Sequence, residues 1–156
     1  DGAGPIGGYA QSGPWKLDVR FNRENHISNI NHLSKFKKQI NLTNEDALVF
    51  INRNLQQDTN FIYLDPPYYV KGQKLYKNFY EHSDHVKICE ELSKNLDRNW
   101  IVSYDYTDKI LEIYKNFSPI IYNLNYSAGK KGLGTEVIFT SHSLKFPDTN
   151  GFIKAA

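Results

Sequence analysis

Apolar residues recur along this chain at spacings that predict alternating helices and strands. From Asn22 to about Phe36 they stand at every third position, and the residues between them are mostly polar. This spacing is typical of an amphipathic helix. A short strand is predicted next, at Gln39 to Leu42. Three later helices are predicted behind capping side chains, at Thr43 or Asn44, at Ser83 or Asp84, and at Thr107 or Asp108.

The strongest strand signals are continuous apolar runs. Phe61 to Leu64 ends at two prolines, and Trp100 to Tyr104 is a second run of this kind. Such runs are typical of strands that are buried on both faces of a parallel sheet. Ile120 to Tyr126 and Glu136 to Ser141 flank a connection that is too short for a crossover helix, so we pair them antiparallel. We therefore expect an α/β fold whose sheet is mostly parallel and ends in a C-terminal antiparallel hairpin.

The composition narrows the class of protein. The 156 residues are 40% hydrophobic and 14% aromatic, which suffices for one packed domain. A formal net charge of +2 permits a nucleic-acid partner without requiring one. The single cysteine, Cys89, excludes an internal disulfide and falls in an apolar helical pattern, so we expect a buried thiol. The five histidines have no metal-ligand spacing, and we predict no metal site.

Two further expectations concern location and completeness. No apolar run approaches the roughly 20 residues that cross a bilayer, and the N-terminus lacks the pattern of a secretory signal. We therefore expect a soluble, cytoplasmic protein without a membrane partner. The chain opens on Asp1 and contains no methionine, which predicts a fragment or a processed product.

The segment Asp65-Pro66-Pro67-Tyr68 carries the candidate chemistry, because ligands of open α/β sheets bind outside the carboxyl ends of the strands. An aromatic exocyclic amine is a poor nucleophile, since its lone pair is delocalised into the ring. Asp65 can accept one amine hydrogen and the backbone carbonyl of Pro66 the other, so that the lone pair faces a methyl donor. Tyr68 offers a flat face on which an extruded base can stack. The alternative is an ordinary turn of aspartate and proline.

Six stretches form a specific set with this motif. They are Gly4-Pro5-Ile6-Gly7-Gly8 with Gln11, Arg20-Phe21-Asn22, Asn44-Glu45-Asp46-Ala47, Tyr63-Leu64-Asp65-Pro66-Pro67-Tyr68, Leu75-Tyr76-Lys77-Asn78-Phe79-Tyr80 and Val102-Ser103-Tyr104-Asp105. On these stretches, most of the chain resembles the Dam-like family of DNA adenine methylases. The resemblance implies an incomplete Rossmann-like methyltransferase sheet, S-adenosylmethionine as the methyl donor, and duplex DNA with a flipped adenine as the substrate.

The resemblance also implies roles for individual residues. Catalysis is assigned to Asp65, Pro66, Pro67 and Tyr68. A cofactor-binding role is assigned to Asp46 and Asp65. For Asp46 the alternative is a helix-capping carboxylate in a first turn.

The chain departs from the family's pattern in one respect. A complete member carries an aromatic, glycine-containing donor loop ahead of these motifs, and no such loop is visible. Gly2-Ala3-Gly4-Pro5-Ile6-Gly7 fits the letters G-x-G-x-x-G, but no strand precedes it. By resemblance, residues 1–21 are the end of a target-recognition region and residues 22–156 the C-terminal part of a catalytic domain. We expect weak donor binding unless another polypeptide supplies the N-terminal strands.

Basic residues and one tyrosine near these motifs are candidate DNA contacts. They are Arg20, Arg23, Lys71, Lys74, Tyr76, Lys77, Lys130 and Lys131. For the lysines, solvated loops that carry charge only for solubility are the alternative.

The leading hypothesis is site-specific methylation of adenine N6 in DNA, as in restriction–modification, without a covalent enzyme intermediate. Methylation of a cytosine amine or of RNA uses the same hydrogen-bond acceptors and stays open. A catalytically silent DNA-binding fragment, or a subunit that lacks the donor-binding half, is the alternative from a different class. Donor binding distinguishes it from the enzyme.

Overall fold

The computed structural model describes residues 6–19, 21–70, 72, 79–126 and 132–145. The chain divides into two compact units, Asp1–Asn44 and Glu45–Ala156. The described elements are α1 (Arg23–Ser34), α2 (Ala47–Leu55), β1 (Phe61–Leu64), α3 (His82–Ser93), β2 (Asn99–Asp105), α4 (Asp108–Ile113), β3 (Ile120–Tyr126) and β4 (Gly132–Thr140). None of these described helices is long and apolar enough to cross a membrane.

The first unit contains a glycine-rich turn region and helix α1. Asn22 caps the helix, because its side chain accepts a hydrogen bond from the backbone of Asn25. The predicted helix is confirmed, but none of its residues is buried, so its apolar side chains remain exposed. The strand predicted at residues 39–42 is wrong. These residues form turn and irregular backbone, with no strand partner among the described residues.

The glycine-rich turn is organised by the side chain of Gln11. Its amide nitrogen donates to the carbonyl oxygens of Ile6 and Gly8, each at 2.7 Å, and its amide oxygen accepts from the backbone of Leu17 at 2.8 Å. Gly7 has a φ of 85°, and a Cβ there would lie 2.5 Å from the carbonyl oxygen of Trp15. Only glycine fits this position without a shift of the backbone.

The second unit is built on a four-stranded sheet with the order β1-β2-β4-β3. The pair β1 and β2 is parallel, whereas β2 with β4 and β3 with β4 are antiparallel. The predicted hairpin is confirmed, but the expectation of a mostly parallel sheet is wrong. The second strand of the hairpin lies between β2 and β3, so it makes both of its ladders antiparallel.

Burial differs between the two strands that were predicted to be buried on both faces. In β1, Phe61 and Tyr63 are 56% and 58% exposed, so only one face of this strand is covered and that prediction is wrong. In β2, Trp100, Val102 and Tyr104 are all buried. The core of the second unit also contains Ile51, Leu55, Ile62, Ile88, Cys89, Leu92, Ile110, Tyr114, Phe117, Val137 and Phe139.

Helix boundaries follow the caps. Asp46, rather than Thr43 or Asn44, caps α2, and Glu81, rather than Ser83 or Asp84, caps α3. In α3 the Asp84 carboxylate accepts from the backbone of Glu81 at 3.0 Å, which completes a capping box. Thr107 caps α4 as predicted. The helix ends at Ile113.

The predicted buried thiol is confirmed. Cys89 is 7% exposed, and its sulfur donates to the carbonyl oxygen of Ile113 at 3.3 Å. Burial raises the pKa of this thiol, so the group stays protonated and behaves as part of the core.

Candidate functional site

The segment Asp65-Pro66-Pro67-Tyr68 follows β1 directly, at the edge of the sheet where the parallel strands β1 and β2 both end. Asp65 is exposed, Pro66 is buried, and Pro67 and Tyr68 are half-buried. The buried proline anchors the segment to the unit, while the carboxylate of Asp65 is open to a ligand. Open α/β sheets commonly bind their ligands at this end of the strands.

The carboxylate of Asp65 is oriented by two neighbouring side chains. The hydroxyl of Ser103, in β2, donates to Asp65 Oδ1 at 3.5 Å, a long bond. The hydroxyl of Tyr63 lies 2.9 Å from the same Ser103 oxygen. Because a serine hydroxyl carries one hydrogen, Tyr63 donates to Ser103 when Ser103 donates to Asp65. A short chain of hydrogen bonds therefore ends on the exposed carboxylate.

The backbone after the motif is held by a second carboxylate, Asp105, at the end of β2. Its Oδ1 accepts from the backbone of Tyr69 at 2.8 Å, and its Oδ2 accepts from the backbone of Val70 at 3.3 Å. Bonds from backbone N–H groups to an ionised acceptor are stronger than bonds between neutral groups. Asp105 thus holds the backbone at the two residues that follow Tyr68.

A third carboxylate contacts the last residue of the motif. Glu136, in β4, accepts from the hydroxyl of Tyr68 at 3.0 Å with Oε1 and from the hydroxyl of Tyr122 at 2.5 Å with Oε2. Glu136 is only 8% exposed. Burial, followed by the bond to Glu136, raises the pKa of Tyr122 well above its usual value, so this hydroxyl remains a donor.

Aromatic side chains of α3 and its flanks support the loop from the interior. The hydroxyl of Tyr69 lies 2.9 Å from Nδ1 of His82, and its ring centroid lies 5.2 Å from that of His85. His85 is 1% exposed and also contacts the rings of Tyr80 and Tyr104. Burial lowers the pKa of His85, which favours a neutral imidazole at neutral pH.

A cavity of about 240 Å³ lies between the N-terminus of α2 and helix α3. Asp46 lines it and uses Oδ1 to accept from the backbone of Leu48 at 2.9 Å. This bond is the helix cap named above as the alternative role of Asp46. The pKa of Tyr80 is raised by burial, and further by the carboxylates of Asp46 and Asp84. The cavity thus combines acidic groups with the rings of Phe79 and Tyr80.

The predicted DNA contacts are described at one position only. Arg23 is exposed as the first residue of α1, in the first unit. The other candidates lie outside the described residues; they are Arg20, Lys71, Lys74, Tyr76, Lys77, Lys130 and Lys131. Among the residues that the structure does describe, no group of three histidine, cysteine, aspartate or glutamate side chains could hold a metal ion.

The roles of four residues at this site were not predicted from the sequence, namely Ser103, Asp105, Tyr122 and Glu136. For Glu136 a signal was available, since it is a charged residue in an otherwise apolar strand run. Ser103 and Asp105 belong to a stretch that carried the resemblance. Ser103 lies 38 positions from its partner Asp65 in the motif, and Asp105 lies 36 positions from its partner Tyr69 just after the motif, so only the fold brings these pairs together.

Comparison with known proteins identifies the family of the chain. No curated protein matches the chain. A family profile, described as D12 class N6 adenine-specific DNA methyltransferase, matches residues 10–127, which is most of the chain. The chain belongs to the D12 class of N6 adenine-specific DNA methyltransferases.

Proposed function

We propose that this chain carries the catalytic motif for methyl transfer from S-adenosylmethionine to the N6 amine of adenine in duplex DNA. The observation that carries the proposal is the exposed carboxylate of Asp65 at the carboxyl ends of two parallel strands. Ser103 orients this carboxylate, and Asp105 holds the backbone that follows. Preorganised acceptors favour a transition state because they need no rearrangement during the reaction.

Asp65 and the backbone of Pro66 act on the amine. Asp65 accepts one amine hydrogen and the carbonyl oxygen of Pro66 accepts the other, which draws the nitrogen lone pair out of conjugation with the ring. When bound, S-adenosylmethionine supplies an electrophilic methyl group, whose bonding electrons remain on sulfur as the new N–C bond forms. The surplus amine proton leaves past the exposed Asp65 carboxylate to water.

Tyr68 and Arg23 are proposed to hold the DNA. The half-buried ring of Tyr68 offers the stacking face for an adenine that has left the duplex. Arg23 is exposed at the start of α1 and is proposed to contact a backbone phosphate. The remaining basic candidates stay predictions from the sequence.

The cavity beside Asp46 fits the adenosyl half of the donor. Asp46 uses one oxygen for its cap, and no described residue bonds the other oxygen, which can accept from an adenine amine. Phe79 and Tyr80 supply ring faces on the same cavity. We propose that these residues hold the adenine of S-adenosylmethionine. No donor loop of the family's kind was found in the sequence, and the weak donor affinity expected for that reason stays a prediction.

The free edge of β1 supports the related proposal that another strand completes the sheet. Among the described residues β1 pairs only with β2, and two of its four side chains, Phe61 and Tyr63, are more than half exposed. An apolar strand with an unpaired edge is a template for strand addition. We propose that a further polypeptide segment pairs with the free backbone groups of β1 and raises donor affinity.

The deciding experiment combines donor binding with methyl transfer. Calorimetric titration of the chain with S-adenosylhomocysteine is repeated with Asp65→Ala and Asp46→Ala. Transfer of labelled methyl groups is then measured on mixed-sequence duplexes with and without adenine. We expect Asp65→Ala to reduce transfer by about 10²- to 10³-fold, the usual effect of removing one preorganised contact to the reacting group. Asp65→Asn, which keeps one acceptor oxygen, should lose less.

Glu112→Gln is the matched control, because the side chain of Glu112 is 67% exposed on α4 and pairs with Lys109 on the same helix. It should retain both binding and transfer. Transfer that is unaffected by Asp65→Ala would contradict the assigned role. DNA binding without detectable donor binding would support the silent DNA-binding module instead, and transfer to duplexes that lack adenine would point to a cytosine amine.

A further inference from the structure

Glu136 is a buried charge in the middle of a sheet. It is 8% exposed, and its neighbours across the two ladders are Asp105 in β2 and Tyr122 in β3. A carboxylate taken out of water is costly unless hydrogen bonds replace its hydration. An apolar residue at this position would avoid that cost. The hydrogen bonds of Glu136 must therefore replace its lost hydration.

Each oxygen of Glu136 accepts a hydrogen bond from a tyrosine. Oε1 accepts from Tyr68, the last residue of the Asp-Pro-Pro-Tyr motif, and Oε2 accepts from Tyr122. Hydrogen bonds to an ionised acceptor are short and directional. The bond from Tyr122 therefore fixes the plane of the carboxylate, and the fixed carboxylate determines where the Tyr68 hydroxyl can lie.

We infer that Glu136 is a positioning residue that sets the orientation of the Tyr68 ring towards the target base. The inference rests on the proposed function, in which that ring is the stacking face. The hydroxyl oxygen of a tyrosine lies on the axis about which χ2 turns the ring, so tethering it at 3.0 Å limits χ1. The χ1 angle sets the direction in which the ring of Tyr68 points from the backbone. Pre-set rings bind better because less side-chain freedom is lost when the ligand arrives.

The first arm of the test observes Tyr68 directly and needs no activity. The full chain is prepared with 3-fluorotyrosine at position 68 alone, and its fluorine resonance is recorded in the wild type, Glu136→Gln, Glu136→Leu and Tyr122→Phe. Glutamine keeps the size but replaces a charged acceptor with a neutral oxygen and an N–H₂ donor. We expect the resonance to shift in Glu136→Gln, to shift further in Glu136→Leu, and to stay in place in Glu112→Gln.

Two outcomes of this arm decide the inference. A resonance at the wild-type position in both Glu136 variants overturns it. If Glu136→Leu does not fold, Glu136→Gln and Tyr122→Phe decide alone. A shift in Tyr122→Phe, which leaves the Tyr68 bond intact, supports the role of Tyr122 in fixing the carboxylate plane.

The second arm measures methyl transfer. Because the base stacks less well on a ring that is not held in place, kcat should fall by about tenfold in Glu136→Leu while KM for the donor changes less than about twofold. Glu136→Gln should rescue part of the rate. A Glu136→Leu rate equal to the wild type overturns the inference. A wild type that transfers no methyl group overturns the proposed function instead, while the fluorine resonance still decides whether Glu136 positions Tyr68.

Discussion

At the scale of single residues, Asp105 has the clearest separable role. Each of its oxygens accepts one backbone N–H of the loop, from Tyr69 and from Val70. Asp105→Ala leaves both donors without this partner. The N–H of Tyr69 is part-buried, whereas the exposed N–H of Val70 can bond to water instead. We therefore expect a loss of about 1 kcal/mol in the free energy of unfolding, measured by urea denaturation. Methyl transfer should fall as well, since the path of the loop is no longer fixed.

Asp105→Asn distinguishes the hydrogen bonds from the size of the side chain. Asparagine keeps one acceptor oxygen and should recover about half of the lost stability. Asp108→Ala is unsuitable as a control because Asp108 lies in the first turn of α4. Asp97→Ala is suitable, since the side chain of Asp97 is 78% exposed. An unfolding free energy that is equal in Asp105→Ala and the wild type would contradict the role of Asp105.

Contacts between individual residues were only partly predictable from the sequence. The position of Asp65 directly after a strand was predicted from an apolar run and two prolines, and the structure confirms that position. The partner of Tyr68 was not predicted, because Tyr68 and Glu136 are 68 positions apart. Such a contact depends on which strand lies beside β2, and no local pattern carries that information.

At the scale of elements, Asp46 has two proposed roles, as the cap of α2 and as a ligand of the donor's adenine, and two substitutions distinguish them. Asp46→Ala removes the bond to the backbone of Leu48 and should destabilise the unit by about 1 kcal/mol. Asp46→Ser retains a capping oxygen and should keep nearly the stability of the wild type. Both variants should weaken S-adenosylhomocysteine binding, because neither carries the carboxylate that we propose for the adenine amine. Urea denaturation and calorimetry measure the two effects.

The Asp46→Ser variant decides whether Asp46 also binds the donor. If it binds S-adenosylhomocysteine as the wild type does, Asp46 is a helix cap and no more. Asn22→Ser is the matched control, because Asn22 caps α1 in the other unit and the same capping chemistry is exchanged there.

Whether a segment forms a helix or a strand was easier to predict than the residues at which it begins and ends. The helix expected near residue 22 begins at Arg23, and the strand at Ile120–Tyr126 has the predicted bounds. The caps of α2 and α3 were placed two to three residues away from their true positions, since several neighbouring side chains can accept a first-turn hydrogen bond. The strand expected at residues 39–42 failed because a short apolar spacing forms a strand only beside a partner.

At the scale of the whole molecule, His85 couples stability to pH. Burial lowers its pKa in the folded state, although the carboxylates of Asp84 and Asp105 act in the opposite direction. Above about pH 6.5, the usual value for histidine, the imidazole is neutral in both folded and unfolded chains. As the pH falls below that value the unfolded chain takes up the proton first, so the free energy of unfolding should decrease.

His85→Phe should flatten this part of the pH dependence, because phenylalanine fills the same aromatic surroundings and does not titrate. The loss of the contact between His85 and the Tyr104 hydroxyl, at 3.3 Å, offsets part of any gain at neutral pH. His32→Gln replaces an exposed histidine and should leave the slope unchanged. Equal slopes in wild type and His85→Phe between pH 6.5 and 5 would show that His85 is not the titrating group.

The arrangement of the whole sheet was only partly predictable. The sequence indicated a C-terminal hairpin, and β3 and β4 form it. The residues of the hairpin itself do not indicate which of its two strands lies beside β2. That choice depends on packing of Val137 and Phe139 against the core, and it makes most of the described ladders antiparallel.

The sheet order has a consequence for synthesis on the ribosome. Strand β4 lies between β2 and β3 and pairs with both. Neither of these strands can form its ladder with β4 until residues 132–140 have emerged from the exit tunnel. Glu136 arrives with the same strand, long after Tyr68 has been translated. A nascent chain can therefore form the β1–β2 pair early, but its Asp-Pro-Pro-Tyr segment acquires its carboxylate anchor only when translation of the hairpin is complete.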